Sequence, residues 1–439
     1  MLLEFKTKNF RCFKDEMTFS MIPAPKQKDL DYSILSSKIG NKNHSALCSA
    51  VIYGPNASGK STIINAMDVF KHIALRGNIN NCEQFEPINI SSCQLEYIPN
   101  ISSNSSESVD FEIKFIESDL LFNYEISIAL GSFKESHFER QIKSEILRIN
   151  DRIIYERENN ELSKLAITPI NQHLNNKIAK IRLERIAENS LRPTELFLTN
   201  GFKNIISNKI VEIFEMWLKD KFLVVVSTNL IRTFDFNLFV EKPEGNYYAG
   251  PTLDKSLEIF GQSASKTGYT KEQNNALRIV SFINDNKGEC VNSSYFESYG
   301  TIRFLYEFPL ILKALKTGGI LAVDEFDASI HPIAFMNLIK IFHNDEINTK
   351  HAQLIFNTHN PIFLNADLFR RDEIKFVEKS SKTTSVHYSL SDFKTKDGVR
   401  RNEDYMKNYF ISKYGAIQDV DFSQVIDDYI NTKNTISKD

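Results

Sequence analysis

The sequence predicts an α/β fold that a long insertion splits in two, and three stretches predict it. "SAVIYGPNASGKST" at 49–62 is an apolar run that breaks into a Gly-rich turn and then a helix. "GGILAVDEFD" at 318–327 is an apolar run that ends in two acids. "AQLIFNTHNP" at 352–361 is an apolar run that ends in Thr358 and His359. Short apolar runs bounded by turn residues read as buried strands, and strands that alternate with helices read as an α/β core.

The elements follow in order. "LLEFKTKNF" alternates apolar and polar residues and is a strand. "KSTIINAMDVFKHIAL" carries apolar residues at helical spacing. Residues 1–95 thus form the first half of the α/β domain, and "NISSNSSES" at 100–108 is a polar loop. "VDFEIKFI", "LLFNYEISIAL", "HFERQIKSEIL" and "DRIIYERE" are strands separated by tight turns, an antiparallel meander over 96–160. Residues 161–250 read as a helical insertion, with "KIVEIFEMWLKDKF" its clearest amphipathic piece and "EKPEGNYYAGP" a loop. The second half of the domain spans 251–395. There "SLEIF" and "NNALRIVSFIND" (274–285) read as helical, and "TIRFLYEFPLILKALKTGG" as a helix closed by a Gly pair. "PIAFMNLIKIFHND" is a helix opened by Pro, and "EIKFVEK" with "SVHYSL" a closing hairpin. The tail, 396–439, reads as helical.

Composition is that of a soluble globular chain. Of 439 residues, 42% are hydrophobic and 25% charged, enough to bury a sizeable core. A net charge of −3 gives no global basic field for nucleic acid. Cys12, Cys48, Cys82, Cys93 and Cys290 are scattered without a C-x-x-C pair, which reads as reduced thiols. The N-terminus reads as a strand and not a signal peptide, and no apolar run is long enough to span a bilayer. The expected location is cytoplasmic, with no membrane partner.

"GPNASGKS" at 54–61 fits the phosphate-binding pattern G-x-x-x-x-G-K-[ST], and it follows a strand and opens a helix as the mechanism requires. Gly54 and Gly59 would let the backbone N–H groups of the loop wrap the phosphates of ATP, and Pro55, Asn56, Ala57 and Ser58 complete the nucleotide-binding loop. Lys60 would reach the β- and γ-phosphates, Ser61 would hold Mg²⁺, and Thr62 continues the helix N-terminus. Asp324, at a strand's carboxyl end, suits the position of a second Mg²⁺ contact. Glu325 would polarise the attacking water. His359 can touch the γ-phosphate or that water.

This motif order resembles ABC-type ATPases of the SMC/RecF/OLD branch, and within it the RecF/OLD-like (AAA_15-type) family. Nearest in look are the RloA and AbiL abortive-infection types and the ATPase of PARIS antiphage systems. The stretches that carry the resemblance are "FKTKNFRCFKDEMTFSM", "VIYGPNASGKST", "ESYGTIRFL", "LAVDEFDASIHP", "FNTHNP", "LFRRDEIKFVEK" and "YFISKYGAI". The resemblance implies an ABC-type P-loop ATPase domain with an antiparallel β meander and a helical insertion, using ATP and Mg²⁺. It implies that Ser298 and Gly300, with Thr301, form the signature that contacts ATP held by another copy. It also places Arg11 near the phosphates. Gln84 in "CEQFEP" is a candidate for the Q-loop glutamine and otherwise a surface residue. The signature departs from the transporter form, with Tyr299 between Ser298 and Gly300, and His331 stands where transporters have an acid.

A phosphate loop binds from one side, and no arginine finger stands next to it. A homodimer or higher homo-oligomer, with the Ser298–Gly300 helix start supplying the other side, is therefore expected. Three functions compete. One is an antiphage ATPase that controls a separate nuclease or toxin effector. A second is a RecF/SMC-like repair ATPase that grips DNA directly, with Lys177, Lys180, Arg182 and Arg185 as its basic patch. The third is a nucleotide-locked scaffold that barely hydrolyses. Asp419 and Asp421 mimic a nuclease metal pair but lack an accompanying Glu-bearing strand, so they read as a solvated tail.

Overall fold

The structure, a computed structural model, describes residues 1–81 without 26, 28 and 29, residues 94–165 without 105, 106, 133, 134, 136 and 137, and then 191–201, 208–226, 246–248, 280–282, 289–292, 299–327, 330–394, 403–417 and 423. Two large sheets form its frame. In the first, β1 (Leu2–Lys8) and β2 (Met17–Ser20) continue the meander strands β6 (Val109–Glu117), β7 (Leu120–Ala129), β8 (Gln141–Ile149), β9 (Arg152–Glu158) and β10 (Glu161–Leu165). The order is β10–β9–β8–β7–β6–β1–β2, antiparallel throughout. The alternating sequence explains the pairing, since every second residue of β6 faces the core.

The second sheet joins β11 (Phe222–Val225), β15 (Ile320–Val323), β16 (Gln353–Asn357), β5 (Ser49–Tyr53), β17 (Ile374–Lys379) and β18 (Ser385–Ser389) in that spatial order. All neighbours are parallel except β17 and β18. Its central strands are fully buried and read as continuous apolar runs, as strands covered on both faces must. A hairpin of β3 (Ile34–Ile39) and β4 (Lys42–Leu47) stands apart, as does a small sheet of β12 (Asn246–Tyr248), β14 (Glu289–Asn292) and β13 (Val280–Phe282).

Helix α1 (Lys60–Arg76) packs between the two sheets. Its Ile63, Ile64, Met67, Phe70 and Ile73 share one core with Ala50 and Ile52 of β5 and with Phe5, Phe111 and Tyr124 of the antiparallel sheet. Each such side chain contributes about 1.5–3 kcal/mol by leaving water. Val51 and Tyr53 point the other way. They meet α3 (Tyr299–Thr317), α4 (Pro332–Phe342) and α5 (Tyr405–Phe410) in a second core. Helix α2 (Asn208–Met216) brings Phe214 against Phe115, 5.6 Å between ring centres. The buried Gln353 side chain joins the sheets: its Oε1 accepts Leu2 N–H at 2.6 Å, and its Nε2 donates to Leu2 O at 3.0 Å and Leu47 O at 2.9 Å.

Several expectations need correction. Residues 274–285 were expected to be helical, but Val280–Phe282 is strand β13, antiparallel to β14. "VSF" is apolar–polar–apolar with a β-branched and an aromatic residue, and so short a run fits either period. The expected helical insertion, 161–250, also supplies β11, an edge strand that pairs with β15. "FLVV" is β-branched and apolar, and the partner that makes it a strand lies far along the chain. The meander also takes in strands from the N-terminus, because β6 pairs with β1. It does not stop at 160, since β10 runs to Leu165. In the described part of the tail Tyr405–Phe410 is helix and Ser423 is helical, while the chain between turns through Ser412 at φ 57° and Gly415 at φ 69°.

Candidate nucleotide site

β15, β16 and β5 lie side by side, and the sequence motifs leave from their carboxyl ends. That is the crevice where open α/β sheets bind ligands. The loop after β5 is folded tightly. A Cβ on Gly54 would fall 2.1 Å from the Val377 carbonyl oxygen, so β17 roofs the loop and only glycine fits. Gly59, at φ 113°, would place a Cβ 2.5 Å from Cys12 Sγ. Asn56 and Ala57 are exposed at the loop tip, Pro55 is half-buried, and Ala57 is left-handed at φ 59°. No side chain caps the start of α1; Thr62 N–H donates to Gly59 O at 3.0 Å, and the N–H groups of Lys60 and Ser61 before it point out of the helix start. Ser58 Oγ is buried without a hydrogen-bond partner. A loop with free helix N–H groups and an orphan hydroxyl fits a phosphate.

Lys60 Nζ lies across the loop, donating to Gly54 O at 2.7 Å and Pro55 O at 2.9 Å. Burial lowers its pKa to about 8, against the opposing charges of Asp324 and Glu325. The sign sets a pH dependence. A bound polyphosphate favours the ammonium, so ATP binding takes up a proton above the pKa of the empty loop. The affinity should be flat below pH 7 and should fall roughly tenfold per pH unit above about 8. Titration with a fluorescent ATP analogue across that range checks it, and a flat profile through about pH 9 would remove Lys60 from the phosphate contact.

Ser61 Oγ donates to Asp324 Oδ1 at 2.7 Å. In an octahedral Mg²⁺ shell adjacent oxygens stand about 2.9 Å apart, so this pair fits two neighbouring corners of such a shell. The amide of Asn357 holds the pair. Its Nδ2 donates to Asp324 Oδ1 and, at 3.4 Å, to Ser61 Oγ, while its Oδ1 accepts Glu325 N–H at 2.5 Å. The strand register explains the meeting: Val323 pairs with Phe356, so the next residues, Asp324 and Asn357, stand side by side. Glu325 is left-handed at φ 52°, which is costly for a residue with a Cβ. The Asn357 bond to its N–H offsets that cost, and the Glu325 side chain is left exposed at the crevice.

His359 is exposed at the rim. Its pKa is depressed by partial burial first and then by the Lys60 ammonium, with Glu325, Asp327 and Asp324 pulling the other way. The imidazole is therefore neutral at pH 7 and can donate or accept. Its turn is tied to the acidic turn by Thr358 Oγ1, which donates to Asp327 Oδ2 at 2.7 Å.

Lys60, Ser61, Asp324, Glu325 and His359 thus come together, with Thr62 in the first turn of α1. Arg11 stands one residue from the loop contact. Its guanidinium carbon is 5.7 Å from the Phe10 ring centre, and the residue of that turn that meets the loop is Cys12. Gly300 and Thr301 lie in the first turn of α3. Ser298 and Gln84 lie outside the described residues, as do Lys177, Lys180, Arg182, Arg185, Asp419 and Asp421. Asn357 went unnoticed in the sequence. Its only signal is a polar residue closing the apolar run Leu354–Phe356.

Residues 49–365 match the family model described as "AAA domain, putative AbiEii toxin, Type IV TA system". No curated protein matches the chain. Among solved structures, the SMC head domain from Thermotoga maritima aligns over 88% of this chain and 98% of its own, with 14% identity and a TM-score of 0.36. Among the described residues no helix is long and apolar enough to cross a membrane.

Proposed function

The chain belongs to the family described as "AAA domain, putative AbiEii toxin, Type IV TA system", and from that premise we propose that it hydrolyses ATP as an ABC-type ATPase and regulates a separate nuclease or toxin. One observation carries the ATPase reading. The phosphate loop, the Asp324–Glu325 turn and the Asn357–His359 turn converge at the carboxyl ends of three adjacent strands.

The residues divide the work. Gly54–Gly59 and the start of α1 present N–H groups to the phosphates, and Lys60 swings from the loop carbonyls to the γ-phosphate. Ser61 and Asp324 would hold Mg²⁺, which when bound neutralises charge on the phosphates. Asn357 keeps Asp324 aimed and fixes the turn that presents Glu325. Glu325 accepts a proton from the attacking water. His359, neutral at working pH, hydrogen-bonds the γ-phosphate or the water and reports its loss to the Thr358–Asp327 turn. The opposite face of the phosphate is completed by the Ser298–Gly300 helix start of a second copy.

The defence role rests on the resemblance to the RloA, AbiL and PARIS ATPases and on the toxin named in the family's description. In this reading ATP-driven association and its release by hydrolysis are the signal that an effector reads. Steady-state phosphate release tests the ATPase. The wild type should turn over, and Lys60→Ala should lose both nucleotide binding and release. Equal release by the two would sink the assignment.

A further inference from the structure

At the opposite end of β5 from the phosphate loop, Cys48, His343 and Glu373 bring a thiol, an imidazole and a carboxylate together, all within 4.8 Å of one another. They come from far apart in the chain. Cys48 precedes β5, His343 caps α4, and Glu373 precedes β17. None is more than 5% exposed. We propose that Cys48, His343 and Glu373 form a Zn²⁺ site that clamps the start of the phosphate-loop strand to α4 and β17.

The geometry is close to what zinc requires. Tetrahedral Zn²⁺ with sulfur, nitrogen and oxygen ligands sets its corners roughly 3.3–3.7 Å apart, given bonds of about 2.0–2.3 Å. His343 Nε2 and Glu373 Oε1 are 3.4 Å apart, and Cys48 Sγ is 4.0 Å from the same oxygen. Ser49 Oγ hydrogen-bonds both ligands, 2.9 Å from His343 Nε2 and 2.7 Å from Glu373 Oε1, closer than a zinc corner would stand, and so supports them from outside the set. Thiolate, imidazole and carboxylate together select a borderline-soft ion and not Mg²⁺ or Ca²⁺.

A carboxylate buried this deeply must be paired or fully hydrogen-bonded. Glu373 Oε2 accepts the Arg370 N–H at 2.8 Å, but the Arg370 guanidinium is turned to Asp372, at 2.9 and 3.0 Å. The competing reading is a dry relay in which Ser49 links His343 to Glu373 and Cys48 merely packs.

A cleft of about 430 Å³ reaches His343, lined also by Tyr32, Lys340, Asp345, Glu346 and Asp367. Its acids outnumber its single lysine and would draw a cation inward.

The test uses the full chain purified with a non-metal affinity tag. Metal analysis should find about one Zn²⁺ per chain, and Cys48→Ser and His343→Ala should each fall below about a tenth of that. Ser49→Ala, which removes a supporting contact, should bind roughly tenfold more weakly. Wild type reconstituted with Co²⁺ should show a thiolate-to-cobalt charge-transfer band that Cys48→Ser lacks. The wild-type spectrum decides even if a variant fails to fold. No zinc after incubation with excess ion, no cobalt–thiolate band, or a band that survives both substitutions would each overturn the proposal. None of these readouts depends on ATP hydrolysis.

Discussion

A Glu325→Gln chain should bind ATP with unchanged affinity and hydrolyse it at least about a hundredfold more slowly, the range that loss of a general base covers. Gln keeps the size of the side chain and the left-handed turn at φ 52°. It also leaves the backbone N–H that Asn357 Oδ1 holds at 2.5 Å. The proton acceptor is lost, together with one of the two charges that support the Lys60 ammonium. Ser61, Asp324 and Lys60 keep their contacts, so nucleotide affinity should move by less than about threefold. Phosphate release at saturating ATP, beside titration with a fluorescent analogue, separates the two quantities. A rate within about threefold of wild type would move the base elsewhere, His359 being the nearest alternative. A joint loss of rate and affinity would mean that the substitution disturbed the Ser61–Asp324 pair instead.

That experiment rests on residues the sequence displayed openly, and the reason is local. The run 49–76 carries its own strand, turn chemistry and helical period, so nothing distant is needed to read it. Asp324 and Glu325 end an apolar strand and stand out for the same reason. Asn357 does not, because its meaning lies in the parallel register that sets it beside Asp324. The same non-locality hid β11, which becomes a strand by pairing with β15, and the union of β1 with β6. Cys48, His343 and Glu373 show no spacing signature at all, because three separate elements bring them together. The misread stretch around Val280–Phe282 failed for a different cause: three residues of alternation cannot tell strand from helix.

Two inactive chains, Lys60→Ala and Ser298→Arg, should recover activity when mixed. The geometry of α3 is the reason. Gly318 and Gly319 join α3 directly to β15, so helix and strand run in opposite directions. Nineteen residues of helix extend roughly 28 Å, whereas the four of β15 extend roughly 13 Å. Laid back along β15, a helix of that length would carry its start, with Gly300 in its first turn, past the crevice and beyond the loop of its own chain. A helix start so placed can offer its N–H groups to phosphates on a facing copy. In a two-fold pair each site then takes its loop from one chain and its helix start from the other. The mixed pair of variants has one site with both defects and one with neither. Random pairing makes about half the dimers mixed, so the mixture should reach about a quarter of the wild-type rate. Lys60→Ala mixed with Glu325→Gln is the control. Both defects lie on the loop side, every site carries one of them, and no activity should return. Silence in both mixtures would place the complete site on a single chain and remove the need for a partner.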